Sequence, residues 1–188
     1  MKQKIKQLLC LLLACQLFTG TAWARPDWPA DTGIQAEAGI VMDADSGAIL
    51  FGQNIHVPYP PASITKILTA LVALENSSLD EVVTFSKDAV YLNEGDSSHI
   101  SRDVGEQMTM EQCLYGMLLE SANECAYAIA EHVGGSVEGF SRMMNEKAKE
   151  IGCESTHFIT PNGLDAVDNE GEHRTTARDL GLIMRYAI

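Results

Sequence analysis

Positive charge is scarce in this chain. Against 26 Asp and Glu it carries 13 Lys and Arg, a formal net charge of −13 at pH 7. So acidic a chain repels phosphate backbones and anionic lipid, which argues against nucleic acid or an anionic membrane surface as a partner; the charge serves solubility. Cysteine lacks pattern. Of the five Cys, Cys10 and Cys15 fall in the N-terminal apolar segment, leaving Cys113, Cys125 and Cys153. An odd number without paired spacing describes no disulfide framework. Cys113 and Cys125 sit in apolar helical stretches and read as small buried hydrophobes. Metal-binding signatures are missing as well. The five His include no H-E-x-x-H, and the acidic run Asp165, Asp168, Glu170, Glu172 lacks the EF-hand spacing. No metal and no cofactor is expected. Finally, no apolar run beyond the N-terminus is long enough to span a bilayer.

The N-terminus itself has the three parts of a secretory signal. Lys2, Lys4 and Lys6 form a basic start, an apolar core begins at Leu8, and Ala22-Trp23-Ala24 is an A-x-A cleavage site. Residues 1–24 are therefore expected to direct export, with a mature start near Arg25 and an extracytoplasmic destination: secreted, cell wall or periplasm. A rival lipoprotein site, Leu12-Leu13-Ala14-Cys15, ranks second because the apolar core before Cys15 is short. Without the three signal lysines the mature part keeps 10 basic and 26 acidic residues, a net of −16. Residues 25–35, with Pro, Asp and Gly, read as a linker to a domain over 36–188.

That domain alternates short strands with capped helices. Residues 38–43 and 48–51 alternate as a hairpin around Ala44-Asp45-Ser46-Gly47. A two-stranded hairpin needs a larger sheet to be stable. Pro60-Pro61 then gives a rigid entry to a helix starting at Ser63, whose Ile64, Ile67, Leu68, Leu71, Val72 and Leu74 recur at helical spacing and predict one buried face. Residues 82–85 are strand-like, and 93–99 form a polar loop. Three helices follow: one capped by Thr109 and running to about Leu119, one over 123–133 ending at Gly134-Gly135, and one capped by Ser136 and ending at Gly152. Leu114, Met117, Leu118, Ala126, Ile129, Ala130, Phe140 and Met144 supply their predicted core. A Pro161-Asn162-Gly163 turn precedes a last helix, capped by Thr175 or Thr176. Leu182, Ile183, Met184, Tyr186 and Ile188 stay in its pattern without a stop signal. The expectation is a chain cut inside a domain.

The chemistry concentrates at Ser63-Ile64-Thr65-Lys66. A serine hydroxyl needs a base within hydrogen-bond reach to act as a nucleophile. Lys66 lies one turn on and on the same helix face, and burial near a helix N-terminus favours its neutral form. The same dipole favours negative charge developing near Ser63. Taken alone, S-x-x-K also fits an ordinary N-cap followed by a solvated lysine. Ser121-Ala122-Asn123, a polar turn between two helices, is placed to present side chains to a cleft, and equally serves as a turn with Asn123 capping a helix.

S-x-x-K followed by S-x-N is the motif order of penicillin-binding proteins and class A β-lactamases, with K-T-G third. The wider wording narrows this. Ala62-Ser63-Ile64-Thr65-Lys66, the Ala-Gly-Ile-Val-Met-Asp hairpin, Ser-Ala-Asn followed by Ala-Tyr-Ala-Ile-Ala-Glu-His, and Pro-Asn-Gly-Leu-Asp together resemble the serine D-alanyl-D-alanine carboxypeptidases from about Ala36 onward. The resemblance implies an α/β, β-lactamase/transpeptidase-like fold: an antiparallel sheet with helices and a helical subdomain, incomplete at its C-terminus. It implies Ser63 as nucleophile toward the bond between the two terminal D-alanines of peptidoglycan stem peptides, Lys66 as its base, and Ser121 as proton carrier to the leaving amine. Asn123 is implied to bind substrate or Lys66, and the Ser63 N–H to be one oxyanion donor. β-Lactams are implied as slowly released covalent inhibitors. Two departures stand out. Thr160 replaces the Asn common before the Pro, and no K-T-G follows Asn123. That motif lies on a family strand that also completes the oxyanion hole and binds the substrate carboxylate, and the family's β-rich domain and C-terminal membrane anchor are not visible either. The chain as written is thus expected to fold poorly or acylate weakly, and a version extended through Lys-Thr-Gly to work. Two alternatives remain: a non-catalytic penicillin- or cell-wall-binding module, and a β-lactamase, which the lack of E-x-x-L-N after Asn123 disfavours.

Overall fold

A computed structural model describes residues 33–92 and 97–188. The chain divides at Gln35, and Ala36–Ile188 form one compact unit, the second. The signal-peptide and lipoprotein readings lie outside the described residues, as does the linker up to residue 32.

In the second unit, β1 (Gly39–Met42) pairs antiparallel with β2 (Ile49–Gln53), Val41 facing Phe51, with a bulge between Val41 and Met42. Asp43 closes the turn, its carboxylate accepting the Ser46 N–H at 2.8 Å. A 3-10 turn, Ala62–Thr65, runs into α1 (Lys66–Asn76). A second antiparallel pair, β3 (Val82–Thr84) with β4 (Gln107–Thr109), brackets α2 (Lys87–Tyr91). Then come α3 (Met110–Leu119), α4 (Asn123–Gly134), α5 (Val137–Ile151) and, after a long loop, α6 (Ala177–Ala187).

The helix starts follow side-chain chemistry. Thr109 and Gln112 make a reciprocal capping box, Ser136 accepts the Gly139 N–H, and Thr176 rather than Thr175 caps α6 through the Asp179 N–H. At α4 the cap position is Ala122, without a side-chain bond, and Asn123 is already helical.

The core is organised around α4. Every residue from Asn123 to Ala130 is buried, the pattern of a helix surrounded on all sides. Ala126, Ala128 and Ala130 let neighbours come close. The α4–α5 corner closes backbone to backbone, since a Cβ at Gly139 would lie 2.2 Å from the Gly134 carbonyl oxygen. Around α4 pack Leu68 and Val72 of α1, Phe85, Met110, Met117, Phe140, Met144 and Phe158. Cys113 and Cys125 are buried free thiols, and Cys153 is a half-buried one.

Three residues expected inside are half exposed: Ile64, Leu74 and Leu118. Ile64 sits in the 3-10 turn, whose tighter winding takes it off the α-helical face, and it lines an apolar groove with β1 and α6 instead. Leu74 and Leu118 fall near helix C-termini, where the stripe of α1 turns to Val72 and Ala73 and that of α3 to Cys113, Leu114 and Met117. The other predicted positions of the helical subdomain (Leu114, Met117, Ala126, Ile129, Ala130, Phe140 and Met144) are buried.

Candidate active site

Ser63 occupies the 3-10 turn and Lys66 opens α1. The residue before the serine, Ala62, has φ 50°, and Ser121 has φ 56°. Left-handed backbone at a residue other than Gly costs roughly 1–3 kcal/mol and persists where surrounding contacts enforce it. Both strained residues lie at the cluster in which the three hydroxyl and amine groups meet.

Lys66 Nζ is 2.9 Å from Ser63 Oγ and 3.1 Å from Ser121 Oγ. Ser121 Oγ is 3.0 Å from Ser63 Oγ, closing a triangle. The lysine side chain enters from α1 and Ser121 from the α3–α4 turn, 55 residues further along. Lys66 is 2 % exposed. Burial strips water from the ammonium and lowers its pKa to about 8. A neutral lysine is thus accessible near neutral pH, which an exposed lysine does not offer.

A third partner orients that amine. Lys66 Nζ donates to the Asn162 carbonyl oxygen at 3.0 Å. A carbonyl oxygen accepts and never donates. When Nζ is neutral, one N–H stays on Asn162 and the lone pair must face a serine hydroxyl. The sequence marked Pro161-Asn162-Gly163 as a turn, but nothing in it signalled that a backbone carbonyl there would hold the lysine.

The loop is itself clamped. Thr69 Oγ1, on α1 beside Lys66, donates to the Pro161 carbonyl at 2.6 Å. Thr160 Oγ1 donates to the Leu164 carbonyl at 2.8 Å, and the Asn162 carboxamide oxygen accepts the Leu164 N–H at 3.0 Å. Thr160 therefore serves loop closure. Gly163, at φ 90°, rests on Ala62, in the 3-10 turn that holds Ser63.

Asn123 is buried at the start of α4, and its N–H donates to the Ser98 carbonyl at 2.9 Å. Its carboxamide is not among the three partners of Lys66. The structure thus brings Ser63, Lys66 and Ser121 into direct contact and sets Asn123 two residues beyond Ser121. Among the described residues there is no cluster of His, Cys, Asp or Glu suited to a metal ion.

A serine hydroxyl, a desolvated lysine and a second serine are in mutual contact on helices packed beside a β-hairpin, an arrangement compatible with the serine–lysine chemistry that the penicillin-binding-protein resemblance implies. The chain belongs to the D-alanyl-D-alanine carboxypeptidase family of S11 peptidases, whose profile matches residues 25–188. The D-alanyl-D-alanine carboxypeptidase DacB2 of Mycobacterium tuberculosis is 38% identical over 163 residues, covering 87% of this chain and 52% of that protein. The crystal structure of D-alanyl-D-alanine carboxypeptidase DacD from Francisella tularensis superposes with TM-score 0.76 at 34% identity, over 91% of this chain and 42% of the other. A mutant Streptomyces DD-transpeptidase gives TM-score 0.76 at 31% identity, over 84% of this chain and 62% of the other. The fold is therefore that of the β-lactamase-like D-Ala-D-Ala carboxypeptidases and transpeptidases. The chain spans about half the length of the curated relatives it matches.

Proposed function

We propose that this protein is a serine-type D-Ala-D-Ala carboxypeptidase acting on peptidoglycan stem peptides. The observation that carries the reading is the buried triangle of Ser63, Lys66 and Ser121, with the amine oriented by Asn162. Lys66 Nζ takes the Ser63 Oγ–H proton as Oγ attacks the carbonyl carbon of the penultimate D-alanine. The peptide C–N bond breaks as Ser121 Oγ–H donates to the departing amine nitrogen, and Ser121 is reprotonated from Lys66. Free D-alanine leaves, and water hydrolyses the ester on Ser63 with Lys66 again as base. Asn123 binds the substrate backbone, and the Ser63 N–H contributes to the oxyanion site.

A β-lactam enters the same path. Its leaving nitrogen stays tethered to the acyl group, so the ester on Ser63 persists. The enzyme works outside the cytoplasm, where such substrates lie, and residues 1–24 supply the export signal. Among the described residues no helix is long and apolar enough to cross a membrane. Incubation with a stem peptide ending in D-Ala-D-Ala tests the reaction. Release of one D-alanine per peptide, lost in Ser63→Ala, is the expected result, and release unaffected by that substitution contradicts it. N-terminal sequencing of the exported protein tests the start near Arg25.

A further inference from the structure

His173 takes no part in the chemistry above, yet it is 2 % exposed and fully engaged. Its Nδ1 lies 2.9 Å from the Ile159 amide nitrogen and 3.2 Å from that of Thr160. Both amides can only donate, so Nδ1 accepts and carries no proton. The ring proton of the neutral imidazole is then on Nε2, which sits 3.2 Å from Thr65 Oγ1. Nε2–H donates, and the threonine oxygen accepts. Phe158 packs edge-on against the ring at 5.6 Å between centroids, fixing its plane.

His173, 108 residues beyond Thr65 in sequence, thus joins the turn at Thr65 to the segment at Ile159 and Thr160. Thr65 stands between Ser63 and Lys66. Ile159 and Thr160 lead directly into Pro161 and Asn162, whose carbonyls receive Thr69 Oγ1 and Lys66 Nζ. Besides Lys66, which reaches Ser63 Oγ and the Asn162 carbonyl, His173 is thus a second side chain that bonds both the Ser63 turn and this loop.

We infer that His173 is a positioning residue: as the neutral Nε2–H tautomer it ties the loop 159–163 to the nucleophile turn and so holds the Asn162 carbonyl on Lys66. The inference rests on the acyl-transfer reading of Ser63 and Lys66. Releasing the loop lets water reach Nζ and removes its fixed acceptor. The lysine then moves back toward ordinary lysine behaviour, and the neutral base becomes scarcer at pH 7.

Two variants separate the two arms of the ring. His173→Asn keeps an acceptor near Nδ1 and loses the donor to Thr65. His173→Gln keeps a donor near Nε2 and loses the double acceptor. Thr65→Val removes the threonine oxygen while preserving shape. In the full-length protein, nitrogen NMR of the histidine ring reads the tautomer at pH 7, and carbon NMR of the lysine Cε reads the Lys66 midpoint, both without substrate. Labelled penicillin acylation against pH reads the reacting site. The expected result is an Nε2–H tautomer in the wild type and an upward shift of the Lys66 midpoint in all three variants. A shift of about one unit slows acylation roughly tenfold at pH 7. The rate recovers at pH above the new midpoint, which simple loss of folded protein does not produce. An Nδ1–H tautomer overturns the inference, as does an unchanged Lys66 midpoint in the variants. Absence of acylation in the wild type overturns the acyl-transfer reading instead, and the two NMR measurements still decide the positioning role.

Discussion

Gly163 and Ala62 meet backbone to backbone: a Cβ added at Gly163 would lie 1.8 Å from the Ala62 carbonyl oxygen and 2.4 Å from its carbon. No real Cβ tolerates such a contact, and φ 90° at Gly163 adds strain for any L side chain. This contact seats the loop that feeds a carbonyl to Lys66 directly against the residue preceding Ser63. Gly163→Ala is expected to push the two apart, at a cost of about 1–3 kcal/mol in unfolding free energy and a larger proportional loss of Ser63 acylation. Thermal unfolding and penicillin labelling of the same sample check both. Unchanged acylation in a folded Gly163→Ala protein shows that the loop can leave the turn without consequence.

The Lys66 amine predicts a pH profile. A general base works when unprotonated, so Ser63 acylation is expected to rise with pH and level off above about 8. Stability has its own sign. The unfolded lysine titrates near its ordinary 10.5 and the folded one near 8, so between these values the unfolded state binds more protons. Stability contributed by this site therefore rises as pH climbs from 8 to 10.5, and below 8 the buried site costs about 3 kcal/mol. Denaturant titrations of wild type and Lys66→Met across that window isolate the effect. The expectation fails if the difference between them is flat.

His173 predicts the acid limit. Burial holds its pKa near 4, below the ordinary 6.5, with Asp165 favouring the charged ring and His157 opposing it. Between pH 6.5 and 4 the unfolded state binds the extra proton, so stability falls as the solution is acidified through this window. The loss from this group is about 3 kcal/mol and is complete below pH 4. His173→Asn is expected to lack this slope, read as unfolding free energy at pH 7 against pH 4.5.

Ser121 Oγ touches both Lys66 Nζ and Ser63 Oγ, and in the proposed reaction it moves the proton onward. Ser121→Ala is expected to slow D-alanine release about a hundred- to ten-thousandfold, the range for losing a proton-transfer group. Circular dichroism is expected to remain native, because among the described residues the hydroxyl bonds Lys66 and Ser63 and no others. Wild-type rates in Ser121→Ala rule out its part in the reaction.

The contact of Ser63, Lys66 and Ser121 was legible in the sequence because spacing encodes it. Ser63 and Lys66 lie one turn apart, and Ser121 sits in a polar turn between apolar helices. Capping residues announced three helices by the same local logic, Thr109, Ser136 and Thr176 each bonding within its own first turn. What stayed hidden acts across distance or through the backbone. Asn162 supplies a carbonyl, which every residue has, and His173 works through a tautomer set by two amides over a dozen positions away. Gly163 was visible as a turn residue, while its pressure on Ala62 depends on tertiary approach. Ile64 went astray because a 3-10 turn replaces the α-helical winding that its spacing suggested.

Mass spectrometry of the full-length protein after brief exposure to labelled penicillin tests the central claim most directly. The account predicts one adduct per molecule, on the peptide containing Ser63, forming faster as pH rises toward 8 and absent in Ser63→Ala. An adduct on any other residue, or labelling that survives Ser63→Ala, contradicts it.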